Sequence, residues 1–240
     1  MTASEVIWHD LECGSYREDL PLWRELAREH AGPILEVGAG TGRVSVDLAR
    51  LGHDVTALDR DAELLGALAE RAQGTTLTTV LADARSFTLE RRFSLCLVPM
   101  QAIQLLGGAA ERVAFLRCAH ACLIPGGVLA TALTEVVDTY EATDGAPAPL
   151  PDIREFDGVV YASRPVAVRE QRDVFVIERV REIVAPDGAH AVEENRIALD
   201  RVEAAELERE GQAAGFRALA RDHIPATADY VGSEVVMLGA

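Results

Sequence analysis

The sequence contains no lysine. Its 23 basic residues are all arginines, set against 39 acidic ones, for a formal net charge of −16. So negative a chain is a poor partner for nucleic acid, whose phosphates are held mainly by cationic side chains. Anionic membrane surfaces are disfavoured for the same reason. Long apolar runs are also missing, and no stretch approaches the roughly 18 residues of a membrane span. Residues 1–10 lack the basic-then-apolar pattern of a secretion signal, so a cytoplasmic location is expected. Cysteine is scarce. Cys13, Cys96, Cys118 and Cys122 form no C-x-x-C pair and no metal-ligand spacing with histidine, so no metal is expected and the four read as core fillers. Aromatic residues make up only 5%.

What is present suits one globular unit. The chain has 240 residues, 49% of them hydrophobic, enough for a sizeable core. Short apolar runs alternate with helical patterns across the first 135 residues. The candidate strands are Ile34–Val37, Val55–Leu58, Leu77–Leu81, Leu95–Val98 and Val128–Leu133. Between them, Val44, Leu48 and Leu51 share a helical face. Leu64, Leu65 and Leu68 share another, and Val113, Leu116 and Ala119 a third. Strand and helix in alternation imply a parallel sheet covered on both faces. An amphipathic segment, Glu18–His30, precedes the first strand. Pro21 lies in its first turn, and Trp23 lies on its apolar stripe and reads as core.

Beyond Leu133 the pattern changes. Asp144–Pro151 reads as a loop. Three extended stretches follow, Val159–Val168, Val174–Val184 and Ala191–Leu199, and short turns between them imply antiparallel pairing. A helix at Ala204–Ala214 and strands at Phe216–Arg221 and Glu234–Leu238 close the chain. The boundaries expected within a single domain are an N-terminal helical cap (1–32), a core (33–135), a β addition (152–200) and closing elements of the core (201–240).

The most informative stretch is Glu36-Val37-Gly38-Ala39-Gly40-Thr41-Gly42-Arg43, a strand end, a glycine turn and a helix start. Three glycines let a backbone turn sharply and let a ligand approach it. The N–H groups of such a turn favour negative charge or lone pairs. Two cofactor classes compete. A dinucleotide fingerprint counted from Gly38 wants its third glycine at residue 43, which is Arg43. Glu36 would also repel a pyrophosphate, whereas it would welcome an ammonium group. Acid-x-Gly-x-Gly-x-Gly thus suits a nucleoside carrying an amino acid. Asp59 and Asp83 follow in order at the ends of the next two strands. Asp59 is placed to accept both ribose hydroxyls, with a cap of the following helix as its alternative role.

With these residues the sequence resembles the class I S-adenosylmethionine-dependent methyltransferases of small-molecule type. The resemblance extends over nearly the whole chain. It implies a Rossmann-like doubly wound α/β fold, with a mostly parallel seven-stranded sheet, an antiparallel C-terminal strand pair and a small antiparallel addition. The implied cofactor is S-adenosyl-L-methionine, contacted by Tyr16, Glu36, Gly38, Ala39, Gly40, Thr41, Gly42, Asp59, Arg60, Asp83, Ala84, Val98 and Met100, with Asp83 on the adenine amino group. The acceptor belongs over the end of the fourth strand, where Gln101 and Gln104 are polar residues on an apolar segment. Tyr140, Trp8 and Trp23 are cavity candidates. No base is legible beyond the weak candidates His9 and His223. Val98-Pro99-Met100-Gln101 lacks the Asn/Asp-Pro-Pro-Tyr motif of enzymes that methylate amide or base nitrogens. The expected partner is therefore a small-molecule methyl acceptor, with homodimerisation left open. An NAD(P)-dependent oxidoreductase and a non-catalytic S-adenosylmethionine binder are the alternatives.

Overall fold

The computed structural model describes residues 4–142, 149–227 and 230–240; most of the expected loop at 144–151 lies outside them. Two helices lead the chain, α1 (Glu5–Cys13) and α2 (Leu20–Glu29). Alternation follows with β1 (Ile34–Val37), α3 (Ser45–Arg50), β2 (Val55–Asp59), α4 (Ala62–Arg71), β3 (Thr78–Leu81) and β4 (Phe93–Val98). A 3-10 turn (Ala102–Leu105) then leads to α5 (Ala109–Cys122) and β5 (Leu123–Leu133). Five strands come next: β6 (Tyr140–Glu141), β7 (Asp152–Phe156), β8 (Val159–Glu170), β9 (Val174–Val184) and β10 (His190–Asp200). The chain closes with α6 (Ala204–Ala213), β11 (Arg217–Ala218), β12 (Asp222–Ile224) and β13 (Ser233–Gly239). No helix among the described residues is long and apolar enough to cross a membrane.

These elements form two compact units, residues 17–135 with 202–240, and the chain up to Tyr16 with 136–201. The helical segment expected as one N-terminal cap divides between them: α2 belongs to the larger unit and α1 to the smaller. In the larger unit the strand order is β11-β13-β5-β4-β1-β2-β3, with β12 paired to β13. β1 to β5 run parallel, while β13 runs antiparallel to β5. The expected seven strands are thus joined by a short eighth. Strand polarity follows from sequence: β4 is Phe-Ser-Leu-Cys-Leu-Val and buried at every position, as a strand covered on both faces must be. Leu35, Val37, Leu58 and Cys96 pack with Phe115 and Leu116 of α5 on one face, and Ala57 meets Leu65 and Leu68 of α4 on the other. Strand order reverses between β1 and β4, and an open sheet of this kind offers its ligand crevice at that carboxyl-terminal edge.

The smaller unit is an antiparallel sheet, β10-β9-β8-β6, with β7 also on β8. Three of these strands were legible in the sequence; β6, β7 and the helix α1 were not. Trp8 and Leu11 of α1 pack on Tyr161 and Ile183 of the sheet.

All four cysteines carry free thiols. Burial pushes the Cys96 thiol well above its ordinary value and that of Cys122 up to about 11, so both are inert packing groups.

Candidate active site

The glycine turn leaves β1 at the reversal point of the sheet. Gly38, Gly40 and Gly42 have φ of 74°, 54° and 91°, a region glycine enters without strain. Their roles differ. A Cβ on Gly38 would press on Ala102 at 3.0 Å, whereas one on Gly42 would lie 2.7 Å from Leu68 and 2.8 Å from Val46. Gly42 therefore serves the packing of the turn on α4 rather than the approach of a ligand. The backbone donors are also spoken for. Gly38 and Ala39 N–H both donate to the Leu58 carbonyl, Gly40 N–H to Asp59, and Gly42 N–H to the Ala39 carbonyl. These four N–H groups are thus bonded within the turn and to β2, which leaves them poorly placed to cradle a pyrophosphate.

Asp59, at the end of β2, accepts from Gly40 N–H at 2.8 Å and from Asp61 N–H at 2.9 Å. It does not cap α4. That role belongs to Asp61, whose carboxylate takes the N–H groups of Glu63 and Leu64. A carboxylate has about four acceptor sites, so two on Asp59 stay open for hydroxyl donors. Asp83 follows β3. Arg85 grips it with its backbone N–H and two guanidinium N–H groups, at 2.6–2.9 Å, and these bonds hold its carboxyl well below the usual range. An adenine amino group would have to share Asp83 with Arg85. Arg60 is exposed, Ala84 is partly buried, and Val98 lies wholly in the core.

Glu36 is only 3% exposed. Burial pushes its carboxyl up to about 8, against the opposing pull of bonds from the Ser45 hydroxyl and N–H and of the Arg43 charge. Arg43 itself is turned to a neighbour. Its two terminal nitrogens donate to Asp19 at 2.5 and 2.6 Å, and Trp23 Nε1 donates to the same carboxylate at 2.8 Å. Asp19 occupies the N-cap position of α2 with helical backbone angles, and its side chain makes no cap bond. Asp19, Arg43 and Ser45 were not singled out in the sequence. The one signal was Arg43 standing where a dinucleotide site would carry glycine.

On the acceptor side, β4 ends in Val98-Pro99-Met100. Met100 has φ of 54°, a strained value for a residue with a side chain, at the carboxyl edge where the sheet reverses. Gln101 is partly exposed. Gln104 has another occupation: it is fully buried, its Nε2 donates to the Thr134 carbonyl at 3.0 Å, and its Oε1 accepts from Thr134 N–H at 2.8 Å. It braces the 3-10 turn to the end of β5. His223 is exposed on the edge strand β12. Trp23 is core, as expected. Tyr16, His9, Trp8 and Tyr140 belong to the smaller unit, where Tyr16 and Trp8 are buried and the Tyr140 hydroxyl has no hydrogen-bond partner among the described residues. Among the described residues, no group of three or more His, Cys, Asp or Glu could hold a metal ion.

Residues 34–127 match the family model described as a methyltransferase domain. Over these residues the chain carries a methyltransferase domain. Solved structures of similar fold include the sugar N-methyltransferase KedS8 of Streptoalloteichus, with a TM-score of 0.71 at 19% identity, over 100% of this chain and 93% of that one. DesVI of Streptomyces venezuelae gives 0.73 at 20% identity over 98% and 99%. The amino pentose methyltransferase CalS10 of Micromonospora echinaspora gives 0.70 at 20% over 99% and 98%. An rRNA adenine N-6-methyltransferase of Corynebacterium diphtheriae is 31% identical over 65 residues, 27% of this chain and only 26% of that protein. The methyltransferase domain thus spans the turn, Asp59, Asp83 and the end of β4.

Proposed function

We propose that the chain transfers a methyl group from S-adenosylmethionine to a small-molecule acceptor. One observation carries this reading most directly. Glu36, Asp59 and Asp83 end or follow three adjacent parallel strands, while the turn between the first two has committed its N–H groups internally. An acidic side chain at each strand end, with the turn's N–H groups bonded internally, suits a cationic nucleoside better than a dinucleotide. On this reading Glu36 meets the ammonium, Asp59 the ribose hydroxyls and Asp83 the adenine amino group. When bound, the cofactor supplies an electrophilic methyl group on a sulfonium. The protein aligns the acceptor lone pair with it and excludes water.

A sugar N-methyltransferase and an amino pentose methyltransferase among the similar structures support an amine on a small sugar-like molecule as the acceptor. A neutral amine needs alignment more than a dedicated base, which is consistent with His223 lying exposed. Gln101 is the residue of this edge assigned to the acceptor side, and Gln104 braces the turn that follows it. The net charge of −16 speaks against an rRNA acceptor. Free thiols on all four cysteines accord with work in the reducing cytoplasm. Calorimetry with S-adenosylmethionine, S-adenosylhomocysteine and NAD(P) tests the cofactor, followed by methyl-donor consumption against amino sugars and other small amines. Tight binding of NAD(P) alone would refute the reading, and cofactor binding without turnover on any acceptor would leave a binder.

A further inference from the structure

Two buried carboxylates in the larger unit lie within reach of one arginine. Asp19 has a fully buried side chain and takes three donors: two from Arg43, whose own side chain is 7% exposed, and one from Trp23. Glu36 is almost as deeply buried and, among the described residues, takes its hydrogen bonds from Ser45. Arg43 is near enough to act on Glu36 through its charge but spends its terminal nitrogens on Asp19. A bidentate guanidinium–carboxylate pair is a strong and directional contact, so this division of charge is fixed by geometry. Burying two ionised carboxylates against one cation is costly, and the less well paired one keeps its proton.

We propose that Asp19 is a positioning residue for cofactor binding: by holding Arg43 it leaves Glu36 as the buried carboxyl that a cation on the ligand completes. This rests on the S-adenosylmethionine reading given above. Below about pH 8 Glu36 enters the exchange protonated. Its O–H bond breaks, the proton passes to solvent, and the carboxylate left behind pairs with the ammonium of the amino-acid tail. Charge balances, with one proton released for each cation bound. The acid that faces Glu36 from the start of α2 is Asp19, and the base facing it from the turn is Arg43.

The test compares S-adenosylhomocysteine, which has the amino-acid tail, with 5′-methylthioadenosine, which lacks it. Titration calorimetry at pH 6.5, where the free amino group is still charged, in two buffers of different ionisation enthalpy counts protons. The wild type should release close to one proton with S-adenosylhomocysteine and none with methylthioadenosine, and Glu36→Gln should release none with either. Asp19→Asn frees Arg43 to turn on Glu36. It should weaken S-adenosylhomocysteine about tenfold or more, the scale of one charge-assisted bond, and barely change methylthioadenosine. Asp19→Asn with Arg43→Gln removes the competing cation and should recover most of the loss. A merely structural Asp19 would weaken both ligands together and gain nothing from the second change. If Asp19→Asn does not fold, proton counting on the wild type and Glu36→Gln still decides. Absence of proton release, or equal weakening of the two ligands in Asp19→Asn, overturns the inference alone. A wild type that binds neither nucleoside overturns the cofactor reading beneath it.

Discussion

The carboxylate of Asp59 holds the glycine turn by accepting the N–H of Gly40 at 2.8 Å, across nineteen residues of chain. The end of β2 thereby sets the shape of the turn that leaves β1. Asp59 does two jobs on the proposed reading, pinning the turn with one pair of acceptor sites and binding the ribose with the other.

Replacing Asp59 with Ala should therefore damage both stability and binding. Two backbone N–H groups, of Gly40 and Asp61, lose a charged partner. Hydrogen bonds to charged groups contribute roughly 1.5–3 kcal/mol each, less where water can substitute. Urea denaturation should register a loss of about 1–3 kcal/mol. Affinity for S-adenosylmethionine and S-adenosylhomocysteine should fall together, since both carry the ribose. A stability loss with unaltered affinity would remove the ribose from Asp59.

Gly42 separates packing from ligand approach. Gly42→Ala places a methyl group against Leu68 and Val46 at distances no ordinary contact allows, and at a φ of 91°. Overpacking costs about 1–3 kcal/mol, with backbone strain in addition. The melting temperature should drop by several degrees. Cofactor affinity of the folded protein should change little, because the new methyl points into α4. Gly40→Val, at the position tied to Asp59, should instead cost affinity, measured by the same calorimetry. Equal affinity losses in the two variants would show that the whole turn acts as one unit.

Gln104 shows where sequence reading reached its end. A polar residue on an apolar segment near a strand end suggests a ligand contact, and its type and place cannot distinguish that from a buried brace. The deciding fact is its partner, Thr134, thirty residues later in the chain. The parallel core was legible because each buried strand is a short apolar run between breakers, as Ile34–Val37 and Val55–Asp59 are. Asp59 and Asp83 were legible because strand ends place their residues regularly. Asp152–Phe156 was not, since all five residues are exposed and carry no apolar alternation. Likewise Asp19 and Arg43 are ordinary surface types in sequence; only folding buries them together. Gln104→Ala should remove the two hydrogen bonds that Thr134 N–H and carbonyl make to this side chain in the core, at about 1–3 kcal/mol for each. Thermal unfolding reads this loss directly, and cofactor affinity per folded molecule should stay within about threefold, or under 1 kcal/mol. A large affinity loss with normal melting would return Gln104 to the binding site.

Glu36 gives a prediction about the unliganded protein and pH. In the folded chain burial raises its carboxyl to about 8, while in the unfolded chain it titrates near the ordinary value of 4.5. Between these values the folded state holds one proton more than the unfolded state. Stability must then fall as pH rises through that window, by at most about 1.4 kcal/mol per pH unit for a single group. The loss begins near the unfolded value and levels off as pH passes the folded one. Glu36→Gln keeps the shape, can still accept from the Ser45 hydroxyl, and carries no titrating proton. The difference between wild type and variant isolates Glu36, because other titrations cancel. Urea denaturation at pH 5, 6.5 and 8 should show the variant gaining on the wild type at each step upward. Saturating S-adenosylhomocysteine should flatten the wild-type curve, since the ammonium then supplies the missing partner. Parallel curves for the two proteins would mean that Glu36 is already ionised in the free protein, with Arg43 rather than the ligand balancing its charge.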